Sequence, residues 1–163
     1  MPLSMIRASR ALHLQVLQQP GAKIAARAGQ NLKPSSLELG GSDAFIVLED
    51  ADLEHTMKWA IWGRMYNDGQ TCVKNEEAAI ALANNSDFGL GGSVFTKDIA
   101  RGREVASRIE TGMMFVNNLD WADADLPFGG VKSSGYGREL GDMGIQQFIN
   151  KKLVRISSHG APA

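Results

Sequence analysis

Acidic residues are missing from the start of this chain: no Asp or Glu precedes Glu38, while Arg7, Arg10, Lys23, Arg27 and Lys33 do. With Ser4 and Ser9 among them, that composition resembles a mitochondrial transit segment, although an arbitrary start reads the same way. Cysteine is scarce as well. A single Cys, Cys72, excludes an internal disulfide and favours a reducing compartment. The 3 histidines, His13, His55 and His159, are too scattered to act as a ligand set, so no metal is expected. No apolar run approaches the roughly twenty residues of a membrane span. A net charge of −1 leaves no basic field for nucleic acid. No G-x-x-x-x-G-K-[ST] loop occurs, and no G-x-G-x-x-G opens a helix, so the glycines read as backbone-geometry positions rather than phosphate cradles.

What is present is ordinary globular material: 163 residues, 44% hydrophobic and 21% charged, the size of one domain. Ala22 to Asn31 has helical spacing, and Ser36 to Leu39 reads as a short strand running into a double glycine. Ala44 to Leu48 is a buried-strand candidate. Asp50-Ala51-Asp52 offers caps for a helix over Leu53 to Tyr66, with Leu53, Met57, Ala60, Ile61 and Met65 on one face. Met57, Trp59, Ile61, Trp62 and Met65 are expected in core or interface packing. Further helices are expected over Glu76–Asn85, Asp98–Ile109 and Glu139–Ile149. Strands are expected at Ser93–Phe95, Met113–Val116 and Lys151–Ile156. Residues 118–137 are glycine-rich and suit a loop over a site. The alternation predicts an α/β fold, a parallel sheet with flanking helices.

Two short motifs carry chemistry. Glu38-Leu39-Gly40-Gly41 is followed about thirty residues on by Asn67-Asp68-Gly69-Gln70-Thr71-Cys72. A thiolate beside a carboxylate suits covalent catalysis on a carbonyl: sulfur attacks, and the carboxylate later activates water to release the acyl group. A lone cysteine is otherwise often a small buried hydrophobe. A third run lies toward the C-terminus, Leu126-Pro127-Phe128-Gly129-Gly130-Val131-Lys132-Ser133-Ser134-Gly135-Tyr136-Gly137-Arg138-Glu139-Leu140-Gly141.

Those three runs, in this order, resemble the signatures of the aldehyde dehydrogenase superfamily. The stretch Gly112-Met113-Met114-Phe115-Val116-Asn117-Asn118, with Trp121 and Asp125 to Gly130, is similar to its succinate-semialdehyde dehydrogenase-like branch. The resemblance implies a partial aldehyde dehydrogenase catalytic domain and an oxidoreductase that turns an aldehyde, a semialdehyde in that branch, into an acid through a cysteine thioester. It makes Cys72 the nucleophile and Glu38 the general base. Leu39 and Gly40 fall where the family meets its cofactor. Phe128 falls at an aromatic near the aldehyde pocket, with simple packing as the other reading.

The resemblance is discontinuous. Cys72-Val73 runs almost directly into Lys74-Asn75-Glu76-Glu77-Ala78-Ala79-Ile80, which is similar to the segment after the family's E-x-F-G-P motif, and no E-x-F-G-P occurs here. The resemblance therefore divides the chain into four parts. Residues 1–20 are a non-homologous and possibly frameshifted start, lacking F-T-G-S upstream of Gly21. Residues 21–34 are a remnant of the cofactor-binding domain. Residues 35–149 are an incomplete catalytic domain with a deletion near 73–74, and 150–163 are an oligomerisation strand and tail. By family the cofactor is NAD or NADP, with binding expected to be lost here and the chain inactive alone. The partners implied are an aldehyde substrate and another subunit, like or unlike, reached through the C-terminal strand. The compartment expected is the cytoplasm, or the mitochondrion if the basic start is a targeting signal. A non-catalytic companion of a full-length paralogue and a pseudogene product are the alternative readings.

Overall fold

The structure, a computed structural model, describes residues 12–15, 17–66, 75–119 and 122–156. It opens with a strand, helix and strand. β1 (Leu12–Gln15) leads into α1 (Gln18–Gln30), which returns the chain to β2 (Ser35–Glu38), parallel to β1 with Gln15 opposite Glu38. Pro20 is accommodated because it lies in the first turn of α1, where backbone N–H groups have no helical acceptor. β1 and the first turn of α1 fall within the stretch 1–20 that the sequence reading set apart.

β3 (Ala44–Val47) precedes α2 (Leu53–Tyr66), whose first turn is closed by the His55 N–H donating to the Asp52 carboxylate at 3.0 Å. α3 (Glu76–Asn84) starts on Asn75, whose side chain accepts from the Ala78 N–H at 2.9 Å. β4 (Phe88–Gly89) and β5 (Gly92–Phe95) follow. α4 (Ile99–Arg108) is capped by Asp98, and β6 (Phe115–Val116) comes next. β7 (Val131–Lys132), β8 (Gly135–Tyr136) and the short α5 (Gly141–Ile145) complete the order.

Parallel pairing is split between two sheets. One runs β3-β5-β6, parallel throughout; the other runs β1-β2-β8, with β8 antiparallel to β2; β4 and β7 form a separate ribbon. The main core gathers Ile46, Leu48, Ile80, Val94, Val105 and Ile109 where α3 and α4 cover the all-parallel sheet. A smaller cluster joins Ala51, Phe95 and Leu119 with Phe45 and Trp59. Arg101 fastens the two covering helices, with Nε 2.8 Å from Glu76 and Nη1 2.8 Å from Glu49.

Three expectations need correction. Of the core or interface packing expected along α2, the core part holds for Trp59 but not for the stripe: Leu53, Met57 and Ile61 are 68%, 60% and 65% exposed, while Thr56 is buried and Trp59 packs on the smaller cluster. Met65's side chain lies outside the described residues. The helix expected over Glu139–Ile149 shrinks to Gly141–Ile145. Its entry is broken by Leu140 (φ 58°) and Gly141 (φ 52°), both in the left-handed region that cannot continue a right-handed helix. Lys151–Ile156 forms no strand, because among the described residues it pairs with no other strand of the chain and every residue in it is exposed.

Candidate active site

Glu38 is the last residue of β2, so it stands at the carboxyl end of a parallel pair, where open α/β sheets place their sites. It is 4% exposed, a depth that a carboxylate seldom reaches without a partner. Two neighbours explain its position. On one side β8 runs antiparallel, with Gly135 opposite Glu38 and Tyr136 opposite Leu37. Gly135 has φ 114°, and a methyl there would collide with the Leu37 carbonyl, so only glycine allows the approach. Just past the strand, the Leu39 N–H donates to the Ser134 carbonyl at 2.9 Å.

The second neighbour is Glu139, which the sequence reading left without a role inside the Gly137-Arg138-Glu139-Leu140-Gly141 run. Its carboxyl hydrogen-bonds that of Glu38. Burial, and then the charge and hydrogen bond of Glu139, push the Glu38 carboxyl up to about 7. The Glu38 carboxyl thus keeps its proton up to near neutrality. Glu38 Oε1 has no partner among the described residues, so one acceptor of the pair is left for a proton or a small polar molecule.

Phe128 is fixed to the same loop. It bridges Glu139 with two backbone hydrogen bonds, each N–H donating to the other's carbonyl at 2.8 Å. The structure therefore brings together Glu38, Leu39, Phe128 and Glu139. Gly40 lies against Phe88: a methyl on it would stand 2.7 Å from the Phe88 ring. Cys72 lies outside the described residues, as does Trp121. No group of three or more His, Cys, Asp or Glu that could hold a metal occurs among the described residues, and none of their helices is long and apolar enough to cross a membrane.

With that geometry in place, comparison with known proteins is decisive. The model of the aldehyde dehydrogenase family matches residues 18–76 and 73–154. The chain belongs to the aldehyde dehydrogenase family. Among its relatives, succinate-semialdehyde dehydrogenase [NADP(+)] of Deinococcus radiodurans is 31% identical over 245 positions, taking in 85% of this chain and 51% of that protein. The Escherichia coli enzyme Sad, a succinate semialdehyde dehydrogenase [NAD(P)+], is 29% identical over 82% of the chain and 52% of its own length. Among solved structures, Gox0499 superposes with TM-score 0.88 at 32% identity, over 95% of this chain and 58% of that one. The succinic semialdehyde dehydrogenase of Streptococcus pyogenes, solved with NADP+, also gives 0.88, at 27% identity over 96% and 58%. The chain spans about half the length of the curated aldehyde dehydrogenases it matches. Within the Deinococcus alignment, 85% of 163 residues supplies only about 140 of the 245 positions, so about a hundred positions of the relative face a gap.

Proposed function

We propose that the protein is an aldehyde dehydrogenase remnant that keeps the acyl-transfer half of the family's chemistry and has lost the oxidative half. The observation that carries this reading is the buried Glu38, paired with Glu139 and held at a pKa of about 7 with Oε1 open. A base poised near the working pH is suited to take a proton from water in one state and to return it in the other. Cys72, thirty-odd residues on in N-x-G-Q-x-C, is the proposed nucleophile. Its thiolate would add to an acyl carbonyl and expel the leaving group, giving a thioester. Water, deprotonated at Glu38, would then release the acid and return the thiol.

An internal deletion near 73–74 is part of the proposal. It is supported by two family matches that overlap at 73–76 and by the hundred or so positions of the Deinococcus relative that have no counterpart. The residues present do not fit NAD or NADP. Leu39 has its amide engaged by Ser134, Gly40 lies against Phe88, and no E-x-F-G-P segment exists in the sequence. Each lost charge-assisted hydrogen bond is worth roughly 1.5–3 kcal/mol, so losing even four of them abolishes useful affinity. A semialdehyde substrate is supported by the succinate-semialdehyde dehydrogenases among the relatives and by the branch-like stretch Gly112 to Asn118.

The test is calorimetry of the pure chain with NAD and with NADP, beside hydrolysis of an activated aryl ester. No heat at millimolar cofactor and ester turnover that Cys72→Ala removes are expected. Micromolar cofactor binding would restore the autonomous oxidoreductase, and no Cys72-dependent acylation would remove the catalytic reading altogether.

A second reading is favoured by one feature, the exposed segment Lys151–Ile156, with Leu153 and Ile156 about nine-tenths exposed. Such a segment suits strand addition to another chain. Co-elution with an intact aldehyde dehydrogenase would support a companion role; separate elution removes it.

A further inference from the structure

We infer that Arg138 is the positioning residue for the paired carboxyls: its guanidinium ties the two ends of the glycine loop together and so holds Glu139 on Glu38. The inference rests on the reading of Glu38 as the base. Arg138 Nη1 donates to the Gly130 carbonyl at 3.0 Å and to the Gly137 carbonyl at 2.6 Å, one from each end of the loop that carries β7 and β8. One rung further out, Phe128 and Glu139 are joined by their two backbone hydrogen bonds. The side chain and the bridge together make a closed ring of chain whose far side is β8, paired to β2. Glu139 follows Arg138 directly and is bridged to Phe128, so this closure fixes the backbone from which its carboxyl reaches Glu38.

The fit around the guanidinium stem is tight. Gly129 has φ 149°, and a methyl on it would stand 2.9 Å from the Gly137 carbonyl and 3.2 Å from Arg138 Cδ. Arg138 has a second conceivable role, as a counter-charge to the paired carboxyls. Its contacts say otherwise, because among the described residues its hydrogen bonds go to main-chain carbonyls.

The two roles predict opposite signs. If Arg138 acts as a charge, removing it makes Glu38 harder to ionise and raises its midpoint. If it acts by position, removing it lets Glu139 swing away and water in, and the midpoint falls. The experiment follows the Glu38 side-chain carboxyl carbon by 13C NMR against pH in the full chain, with Glu38→Gln identifying the signal.

Arg138→Gln is expected to lower the midpoint by about one pH unit or more, and Arg138→Lys, which keeps a donor, to fall between it and the parent. Methyl signals of Val94, Val105 and Ile109 should stay in place, showing that the core is intact. Should Arg138→Gln fail to fold, the direction of Arg138→Lys decides. A midpoint left unchanged or raised by the substitution overturns the inference. A parent protein whose Glu38 titrates near the ordinary glutamate value would instead overturn the base on which it rests.

Discussion

The loop 128–139 and the helix α2 are of similar length and end in opposite states. The loop has glycines at 129, 130, 135 and 137, little intrinsic order and no regular element longer than two residues. Yet it is cross-linked by Arg138, bridged at Phe128 and Glu139, and paired to β2, and Ser134 within it is fully buried. α2 is a regular helix of 14 residues with a good cap, and its apolar stripe faces water. Regularity and burial are therefore separate achievements. The loop's partners, β2, Gly89 and its own two ends, all lie in the chain, whereas nothing among the described residues covers Leu53, Met57 and Ile61.

The largest effect should come from the side where apolar surface is satisfied. Phe95 is 1% exposed, its ring tilted against that of Phe45 with centroids 4.7 Å apart, and packed with Ala51 and Leu119. Phe95→Ala removes a whole buried ring and leaves a cavity, a change that costs about 3–5 kcal/mol. In a domain whose whole stability is about 5–15 kcal/mol, that leaves little folded protein at 37 °C. Urea unfolding followed by far-UV circular dichroism measures it; a midpoint within error of the parent would mean that the small cluster is not packed as described.

The next effect belongs to the loop and depends on pH. Glu38 has its pKa raised from an ordinary 4.5 to about 7, chiefly by burial. The folded state therefore holds this proton more tightly than the unfolded chain does. That contribution is complete below pH 4.5 and is lost as pH rises through about 7. Across the window one proton is worth about 1.4 kcal/mol per pH unit. Denaturation midpoints at several pH values should fall with rising pH in that window, after correction for other carboxylates. In Glu38→Gln, which cannot ionise, the slope should flatten. An equal slope in both proteins would show that Glu38 is not the group responsible.

What the sequence could reveal follows the same division. Boundaries set by local chemistry were readable: Asp50-Ala51-Asp52 before α2 and Asp98 before α4 start helices within a residue of the expected places. The two strands with apolar, β-branched runs, at Ala44 and Ser93, were readable for the same reason. Glu38 was legible because it stands in a short motif. Glu139 was visible as a letter in another motif, but its role depends on β8 folding back along β2, a pairing between residues a hundred positions apart that no spacing rule records. Arg138 is the same case. Leu140 and Gly141 delayed the start of the expected C-terminal helix through left-handed backbone, which tertiary context imposed on a leucine that prefers otherwise. Periodicity found the stripe on α2 and could not say what would cover it.

That stripe gives the smallest expected effect and the sharpest contrast. Leu53, Met57 and Ile61 lie at i, i+4 and i+8, and each keeps about two-thirds of its surface in water. Replacing Leu53 and Ile61 with Gln and Met57 with Lys removes as much apolar side chain as several core truncations would. Because that surface is wet in the folded chain as well as in the unfolded one, the transfer free energy hardly changes. Surface substitutions of this kind stay within about 0.5 kcal/mol each. The helix should keep its propensity, since Gln and Lys are good helix formers. Solubility should rise, because a contiguous apolar stripe on a free surface is a site of self-association. The check is a pair of measurements on the triple variant: unfolding midpoint and the protein concentration at which scattering begins. An unchanged midpoint with later scattering places the stripe on a free surface. A fall of several kcal/mol would mean that the stripe is covered in solution, and that the contrast between helix and loop fails.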